Sequence, residues 1–213
     1  MSNFSSLSPL PIAVLISGGG TTLRNLIEQQ RAGQLPIDIR LVISSNPTAK
    51  GLQYAADGKI PALVVEKKKG RTAADFESAV FEPCRAAGVR YVVMAGYLKH
   101  VTIPADFANR VINIHPSLIP SFCGQGMYGL KVHQAVLDYG AKVTGCTVHF
   151  VDNHYDHGPI IGQWPVAVAD DDTAETLQAR VFAKECEAYP AVLRALATGE
   201  ISIRDRKIGW PRR

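Results

Sequence analysis

The first regular feature of the chain is an apolar run followed directly by a glycine-rich turn and an amphipathic segment. Ile12 to Ile16 is uninterrupted apolar sequence, which is typical of a strand covered on both faces. After the turn Ser17-Gly18-Gly19-Gly20-Thr21-Thr22, residues 23–30 carry leucine and isoleucine at helical spacing. Glycines allow close backbone approach, and a helix start offers N–H groups to an anion. Two interpretations stay open: a cradle for the phosphate of a small molecule, or a turn that only tightens the connection.

Strand-like and helix-like segments alternate along most of the remaining sequence. Further strand-like runs lie at residues 37–44, 62–65, 91–95, 111–115, 144–151 and 160–168, and helical patterns lie at 48–56, 73–87 and 131–139. This alternation predicts an α/β fold with a single-domain, doubly wound, mostly parallel sheet. The last two strands should form a hairpin, which makes the C-terminal strand antiparallel.

The acidic run at Asp170 signals the start of a long C-terminal helix. We expect that helix to be interrupted at Tyr189-Pro190 and to resume as far as Ala197, because proline removes a backbone donor. We therefore predict an N-terminal extension at residues 1–11, one domain at residues 12–200 and a basic C-terminal tail at residues 201–213.

Composition and charge narrow the classes of function. The 213 residues are 46% hydrophobic and 20% charged with a formal net charge of +4, and one short basic cluster stands at 67–71. The sequence lacks the basic stripe that is typical of nucleic-acid-binding proteins. No apolar run approaches the roughly 18 residues of a membrane span. Four widely spaced cysteines without a C-x-x-C motif fit a reducing cytoplasm. We expect a cytoplasmic protein with small-molecule partners, no nucleic acid and no membrane, acting as a monomer or homodimer.

The chemistry-bearing stretch is Asn113-Ile114-His115-Pro116. Alternate strand residues share a face, so Asn113 and His115 point the same way, and Pro116 ends the ladder. In open α/β sheets, ligands bind at the carboxyl ends of the strands. An amide beside an imidazole is suited to holding an oxygen that becomes negative during a reaction. The alternative is a histidine that only caps nearby carbonyl groups.

A second polar segment, from His149 to His157, contains five side chains that could bind a metal: His149, Asp152, His154, Asp156 and His157. It has no H-x-x-x-H on a helix and no cysteine, so we expect no metal. The alternative is that Asp156 supports His115, because a carboxylate close to an imidazole favours its protonated form. A cationic His115 could stabilise an oxyanion and then give up a proton.

These residues together resemble a known family. Asn113-Ile-His115-Pro-Ser-Leu-Ile-Pro120, followed by Asp156-His-Gly-Pro159, is similar to the signature of the folate-dependent formyltransferases. The resemblance extends from about Ile12 to Ala197 and implies a Rossmann-like formyltransferase fold. The glycine turn and short length resemble the branch that transfers a formyl group from 10-formyltetrahydrofolate, a co-substrate, to the amine of 5'-phosphoribosylglycinamide in purine biosynthesis.

The resemblance also implies residue roles. Asn113 and His115 would hold the oxyanion, and Asp156 would keep His115 charged and relay a proton, without a metal. The proposed substrate-binding residues are Gly20, Thr21, Thr22 and Glu185. The proposed folate-binding residues are Leu98, Lys99, His100, Val101, Asn113 and Arg71.

Three departures from the family pattern concern substrate contacts: Thr22 replaces a frequent Asn, Phe182 replaces a glutamine of some members, and the loop at 122–129 is longer. Other functions stay open. They are a formyltetrahydrofolate deformylase-like hydrolase, formyl transfer to a different phosphosugar amine, and a non-catalytic phosphosugar-binding domain. The missing G-x-G-x-x-G fingerprint disfavours a dinucleotide-dependent oxidoreductase.

Overall fold

The structure, a computed structural model, describes residues 8–210. The first seven residues of the expected N-terminal extension and the last three of the expected tail lie outside the described residues. The strands are β1 (Leu10–Ile16), β2 (Ile37–Ser44), β3 (Ala62–Val64), β4 (Tyr91–Met94), β5 (Val111–His115), β6 (Val143–Phe150), β7 (Ile160–Ala167), β8 (Ser202–Arg204) and β9 (Lys207–Gly209). The helices are α1 (Thr21–Arg31), α2 (Gly51–Asp57), α3 (Ala73–Ala86), α4 (Leu130–Tyr139) and α5 (Ala174–Ala197), with a 3-10 turn at Ala105–Phe107.

Seven of the strands form one sheet in the order β3-β2-β1-β4-β5-β6-β7. The pairs β1/β2, β1/β4 and β2/β3 are parallel, and the pair β6/β7 is antiparallel. The predicted mostly parallel α/β fold with an antiparallel C-terminal strand and a long C-terminal helix is confirmed. The strand order reverses direction between β1 and β4, and such a switch point is where open α/β sheets bind ligands.

The apolar run of β1 is buried as its sequence predicts. Every residue from Ile12 to Ile16 has no exposed surface, as expected for a parallel strand packed on both faces. The next strand in sequence, β2, pairs with it from Leu10 opposite Ile37 to Ile16 opposite Ser44. Because this pairing fixes β1 along its length, the glycine turn follows directly from a rigid strand.

Two C-terminal features differ from the sequence prediction. Helix α5 continues through Pro190, whereas we predicted an interruption there. A proline inside a helix removes only one backbone hydrogen bond, and the buried neighbours Ala188, Tyr189 and Val192 pack the helix on both sides of it. The expected basic tail also contains regular structure, because β8 and β9 pair as an antiparallel hairpin that contacts β7.

The contacts divide the chain into two compact units. The first extends to Ile112 and includes Leu196–Thr198, and the second comprises Asn113–Ala195 and the residues from Gly199 onward. Among residues 8–210, every helix is too short or too polar to cross a membrane.

Candidate active site

In the second unit, His115 ends β5 and is held in one orientation by the loop that follows it. Its side chain is only 4% exposed, and its Nε2 lies 2.9 Å from the carbonyl oxygen of Phe122. A carbonyl oxygen can only accept, so Nε2 carries the hydrogen. The other ring nitrogen, Nδ1, is therefore the one that can exchange a proton with a reacting group.

Asp156 faces that second nitrogen. Its Oδ2 lies 3.5 Å from Nδ1 of His115, and the same oxygen accepts a 2.8 Å hydrogen bond from the N–H of Gly124. The Gly124 bond fixes the carboxylate, while 3.5 Å exceeds an ordinary N–H···O distance. The predicted meeting of His115 and Asp156 in space is therefore present, with Nδ1 close to the carboxylate but not tightly bonded to it.

A network of internal hydrogen bonds holds the loop that follows His115 in place. The buried hydroxyl of Thr147 on β6 donates to the Ser117 carbonyl at 2.7 Å and accepts from the Ile119 N–H at 3.0 Å. The Ser117 hydroxyl donates to the Ser121 carbonyl at 2.6 Å. Phe122 then adopts a left-handed φ of 51°, a conformation that bulky residues rarely adopt. Packing and hydrogen bonds thus hold the Phe122 carbonyl where His115 can bond to it.

A second buried histidine, His149 on β6, contacts both Asn113 and Asp156. Its Nδ1 lies 2.8 Å from the Phe150 carbonyl, so Nδ1 carries the hydrogen of the neutral ring. Burial is the main cause that lowers the His149 pKa, which favours this neutral form. The unprotonated Nε2 then accepts from the Asn113 amide nitrogen at 3.3 Å and lies 3.7 Å from Asp156.

From sequence, His149 was considered only as a member of a metal cluster, and its contact with Asn113 was missed. The available signal was the alternation of the polar residues Thr147 and His149 along β6, which is the sheet neighbour of β5. A histidine opposite Asn113 could have been inferred once the order of β5 and β6 was known.

Glu185 on α5 belongs to the same unit and carries the largest shift of any acid there. Removal of its carboxyl group from water raises its pKa to about 8. The buried thiol of Cys146 lies close to Glu185, and the Glu185 carboxyl group contributes to the raised pKa of that thiol. Glu185 is therefore mostly uncharged at neutral pH, and Phe182 lies half-buried one turn before it on the same helix.

In the first unit, the backbone of the glycine turn lies very close to the backbone of Gly51. Gly20 precedes α1 with a φ of 71°, and a Cβ added there would lie 2.4 Å from Cα of Gly51. Thr21 and Thr22 form the first turn of α1, whose start has no acidic residue and no side-chain cap. The helix start therefore presents its N–H groups without a competing carboxylate, as an anion cradle requires.

The segment after β4 approaches the same turn within this unit. The Leu98 N–H donates to the Ser17 hydroxyl at 2.8 Å, and the Ser17 hydroxyl lies 2.6 Å from that of Ser45. Leu98 is 57% exposed and Val101 is buried. Residues 98–101 and the glycine turn therefore flank the switch point between β1 and β4.

The basic loop at 67–71 touches that segment. Lys67 donates to the His100 carbonyl at 3.1 Å, and Arg71 donates to the Glu66 carbonyl at 3.1 Å. Lys99 is exposed and His100 is half-buried. The predicted folate-binding residues of the first unit thus lie on two loops joined by the Lys67 contact.

Histidines of the 152–157 turn form a separate group. Asp152, His154 and His157 place ligand atoms close together, whereas His149 and Asp156 face Asn113 and His115. The residues that we considered together as one possible metal cluster are thus divided between a buried group and a surface group.

Comparison with known proteins identifies the class. Residues 10–193 match the formyl transferase family, and the chain belongs to that family. It is 40% identical over 202 residues to the chloroplastic phosphoribosylglycinamide formyltransferase of Vigna unguiculata, covering 94% of this chain and 64% of that protein. The chain therefore spans slightly less than two thirds of that relative's length.

Two solved structures share the fold closely. The crystal structure of glycinamide ribonucleotide transformylase 1 from Symbiobacterium toebii aligns with a TM-score of 0.87 at 39% identity, covering 94% of this chain and 93% of that one. A formyltetrahydrofolate deformylase from Pseudomonas syringae aligns with a TM-score of 0.83 at 25% identity, covering 94% of this chain and 65% of that one.

Proposed function

We propose that this chain transfers a formyl group from 10-formyltetrahydrofolate to the amine of 5'-phosphoribosylglycinamide, a step of purine biosynthesis. The observation that carries the proposal is the convergence of Asn113, His115 and Asp156, supported by the similarity to proteins named for this activity. The formyl transferase family uses formyl-folate as its co-substrate, and the residues assigned to the reaction do not need a metal.

The reaction is an acyl transfer between two nitrogens. The acceptor amine attacks the formyl carbon, and the carbonyl oxygen becomes an oxyanion in a tetrahedral intermediate. One N–H of the Asn113 amide is directed at His149, and its second N–H is suited to the oxyanion. The second donor is Nδ1 of protonated His115. Two donors aimed at a developing negative charge are the main source of rate in such a site.

Breakdown of the intermediate needs a proton at the departing folate nitrogen. The carbon–nitrogen bond to folate breaks and the folate nitrogen takes a proton from His115, while the proton that the acceptor nitrogen loses returns to His115, so the ring ends the turnover in the state in which it began. His115 supplies the proton through Nδ1, and the carboxylate of Asp156, 3.5 Å from that nitrogen, is placed to relay it. The fixed Nε2–H bond to Phe122 keeps the ring from turning during this exchange.

The remaining assignments follow the same proposal. Gly20, Thr21 and Thr22 bind the acceptor's phosphate, and Glu185 contacts its glycinamide group. Residues 98–101, with Arg71, bind the folate. Residues 12–200 are proposed as the catalytic domain, followed by the basic tail at residues 201–213, whose described part contains the β8/β9 hairpin. The cytoplasmic location stays a prediction: the four cysteines are free thiols, while the Vigna relative is named as chloroplastic.

A hydrolase is the second candidate, because the deformylase from Pseudomonas syringae shares the fold over 94% of this chain. Water would then replace the amine as nucleophile at the same carbon. The oxyanion donors and His115 would serve both reactions, so the acceptor distinguishes them.

The test is an assay of tetrahydrofolate release from 10-formyltetrahydrofolate with and without phosphoribosylglycinamide. We expect release only when the amine is present, together with the formylated acceptor. Equal release in its absence would favour hydrolysis instead. A separate calorimetric measurement with the dephosphorylated acceptor tests the glycine cradle. If the cradle binds the phosphate, that compound should bind much more weakly.

A further inference from the structure

Three side chains of the turn between β6 and β7 converge on one point of the surface. Asp152, His154 and His157 each offer a ligand atom, and these atoms all lie within 4.8 Å of one another. Oδ2 of Asp152 is 2.7 Å from Nδ1 of His157, and Oδ1 is 3.8 Å from Nδ1 of His154. The reaction proposed above uses none of these side chains.

The turn that carries these three side chains is held together at its two ends. The Phe150 N–H donates to the Pro159 carbonyl at 2.9 Å, which closes the base of the turn. At Gly158 a Cβ would lie 1.9 Å from the Phe150 carbonyl oxygen, so the two backbones are in close contact. Within the turn, the His154 N–H donates to Asp152 at 2.9 Å. A ligand would therefore meet side chains mounted on a restrained backbone, which lowers the entropy cost of binding.

The donor set has the chemistry of a transition-metal site. Neutral imidazole and carboxylate are ligands of Zn²⁺, and imidazole also suits Ni²⁺ and Cu²⁺. Bonds of about 2.1 Å in a tetrahedral site place ligand atoms roughly 3.4 Å apart. The Asp152–His157 separation of 2.7 Å is measured to Oδ2 and the Asp152–His154 separation of 3.8 Å to Oδ1, so the two histidines face different oxygens of one carboxylate. Side-chain rotation is therefore needed to bring one oxygen and both imidazole nitrogens onto one ion.

We propose that Asp152, His154 and His157 bind one divalent transition-metal ion of the Zn²⁺ class, outside the residues assigned to formyl transfer. Both histidine side chains are mostly exposed, at 78% and 56%, so an ion can reach them from solvent. Three protein ligands leave the fourth tetrahedral position to water. Arg206 donates to the His157 carbonyl and its positive charge opposes the cation, while Asp152 favours it.

The competing explanation is a simple surface pair between Asp152 and His157, which needs no metal and contributes little to stability. The two explanations differ in what His154 does. Without a metal, loss of the His154 ring leaves the Asp152–His157 pair in place, whereas in the metal site it removes a ligand.

The test is isothermal titration of the full-length, chelator-treated protein with ZnCl₂, together with the visible absorption of bound Co²⁺. We expect one ion per chain, with affinity at least about tenfold weaker in each of His154→Ala, His157→Ala and Asp152→Asn. His100→Ala, which changes a histidine of the first unit, should bind as the wild type does. Circular dichroism checks that each variant is folded.

Two results would overturn the proposal. One is the absence of stoichiometric binding to the wild-type protein. The other is unchanged affinity in the folded double variant His154→Ala/His157→Ala, which would place any bound Zn²⁺ elsewhere. Because binding is measured without folate or acceptor, these outcomes are independent of whether the chain transfers formyl groups.

Discussion

The Asn113 amide nitrogen lies 3.3 Å from Nε2 of His149, a ring whose other nitrogen is committed to the Phe150 carbonyl. The Phe150 bond fixes the tautomer, so His149 can only accept from Asn113. This orients the amide with its nitrogen towards His149 and its second N–H available for another acceptor. In the proposed reaction, His149 is therefore a positioning residue that acts through Asn113.

Replacement of His149 should lower turnover without a matching loss of substrate affinity. We expect His149→Ala to reduce kcat by about ten- to a hundredfold, because the amide loses its orientation, and to leave KM for the acceptor nearly unchanged. His149→Gln should restore part of the rate, since its amide oxygen can accept from Asn113. Steady-state kinetics of both variants, with Lys142→Ala as a surface control, check this. An equal rise in KM, with no rescue by Gln, would contradict it.

Asp156→Asn should separate the charge of this residue from its shape. The amide oxygen of Asn can still accept from the Gly124 N–H, so the loop keeps its bond. The negative charge facing His115 is lost, and we expect turnover to fall by about 10²–10⁴-fold with unchanged thermal stability. Kinetics and a thermal melt of the same preparation measure both. Near-wild-type turnover would mean that the charge of Asp156 is not used.

The raised pKa of Glu185 predicts a specific pH dependence of stability. Its pKa is about 8 in the folded chain against an ordinary value of 4.5, so between these values the folded state holds a proton that the unfolded state has lost. Stability must therefore fall as pH rises from about 4.5 to 8, by on the order of 1–4 kcal/mol. Glu185→Gln cannot ionise and should lose this contribution to the slope. Melting temperatures of both proteins from pH 5 to 8.5 measure the difference, and parallel curves would contradict the assignment.

Gly20 and Gly19 provide a matched pair of substitutions in the glycine turn. An added Cβ at Gly20 would lie 2.4 Å from the Gly51 backbone, and the φ of 71° disfavours any side chain. Around Gly19 the same Cβ meets nothing within 4 Å. We expect Gly20→Ala to destabilise the chain by about 1–3 kcal/mol and Gly19→Ala to have little effect. Urea denaturation of the two variants tests this, and equal destabilisation would show that the close approach is unimportant.

The fold could be predicted from sequence wherever an element has its own periodic pattern of apolar residues. The buried run of β1 and the glycine turn after it are local patterns, so both were predicted close to their observed places. Helix α5 was harder, because the local effect of Pro190 is opposed by burial of its neighbours, and burial depends on the rest of the fold. The β8/β9 hairpin was missed because its strands are short and mostly exposed, and they lack an apolar alternation.

The candidate site was accessible to a similar degree. The proximity of His115 and Asp156 was one of two interpretations of the histidine-rich segment, and the family resemblance favoured it, because sequence spacing alone does not bring two distant loops together. The His149 contact and the division of the histidine-rich turn into two groups depend on which way each side chain points near a strand end. A shift of one residue reverses that direction, and such a shift is present in the β6/β7 pairing between Val148 and His149.

The most direct test of the account is a double-mutant cycle on His115 and Asp156, read by the single-turnover rate of formyl transfer. If the two side chains act as one unit on the same carbonyl, removing the second after the first costs little. We predict that His115→Ala/Asp156→Asn reacts within a few-fold of His115→Ala alone, although each single variant is slower than the wild type by orders of magnitude. Losses that multiply in the double variant would contradict the claim that this pair acts together.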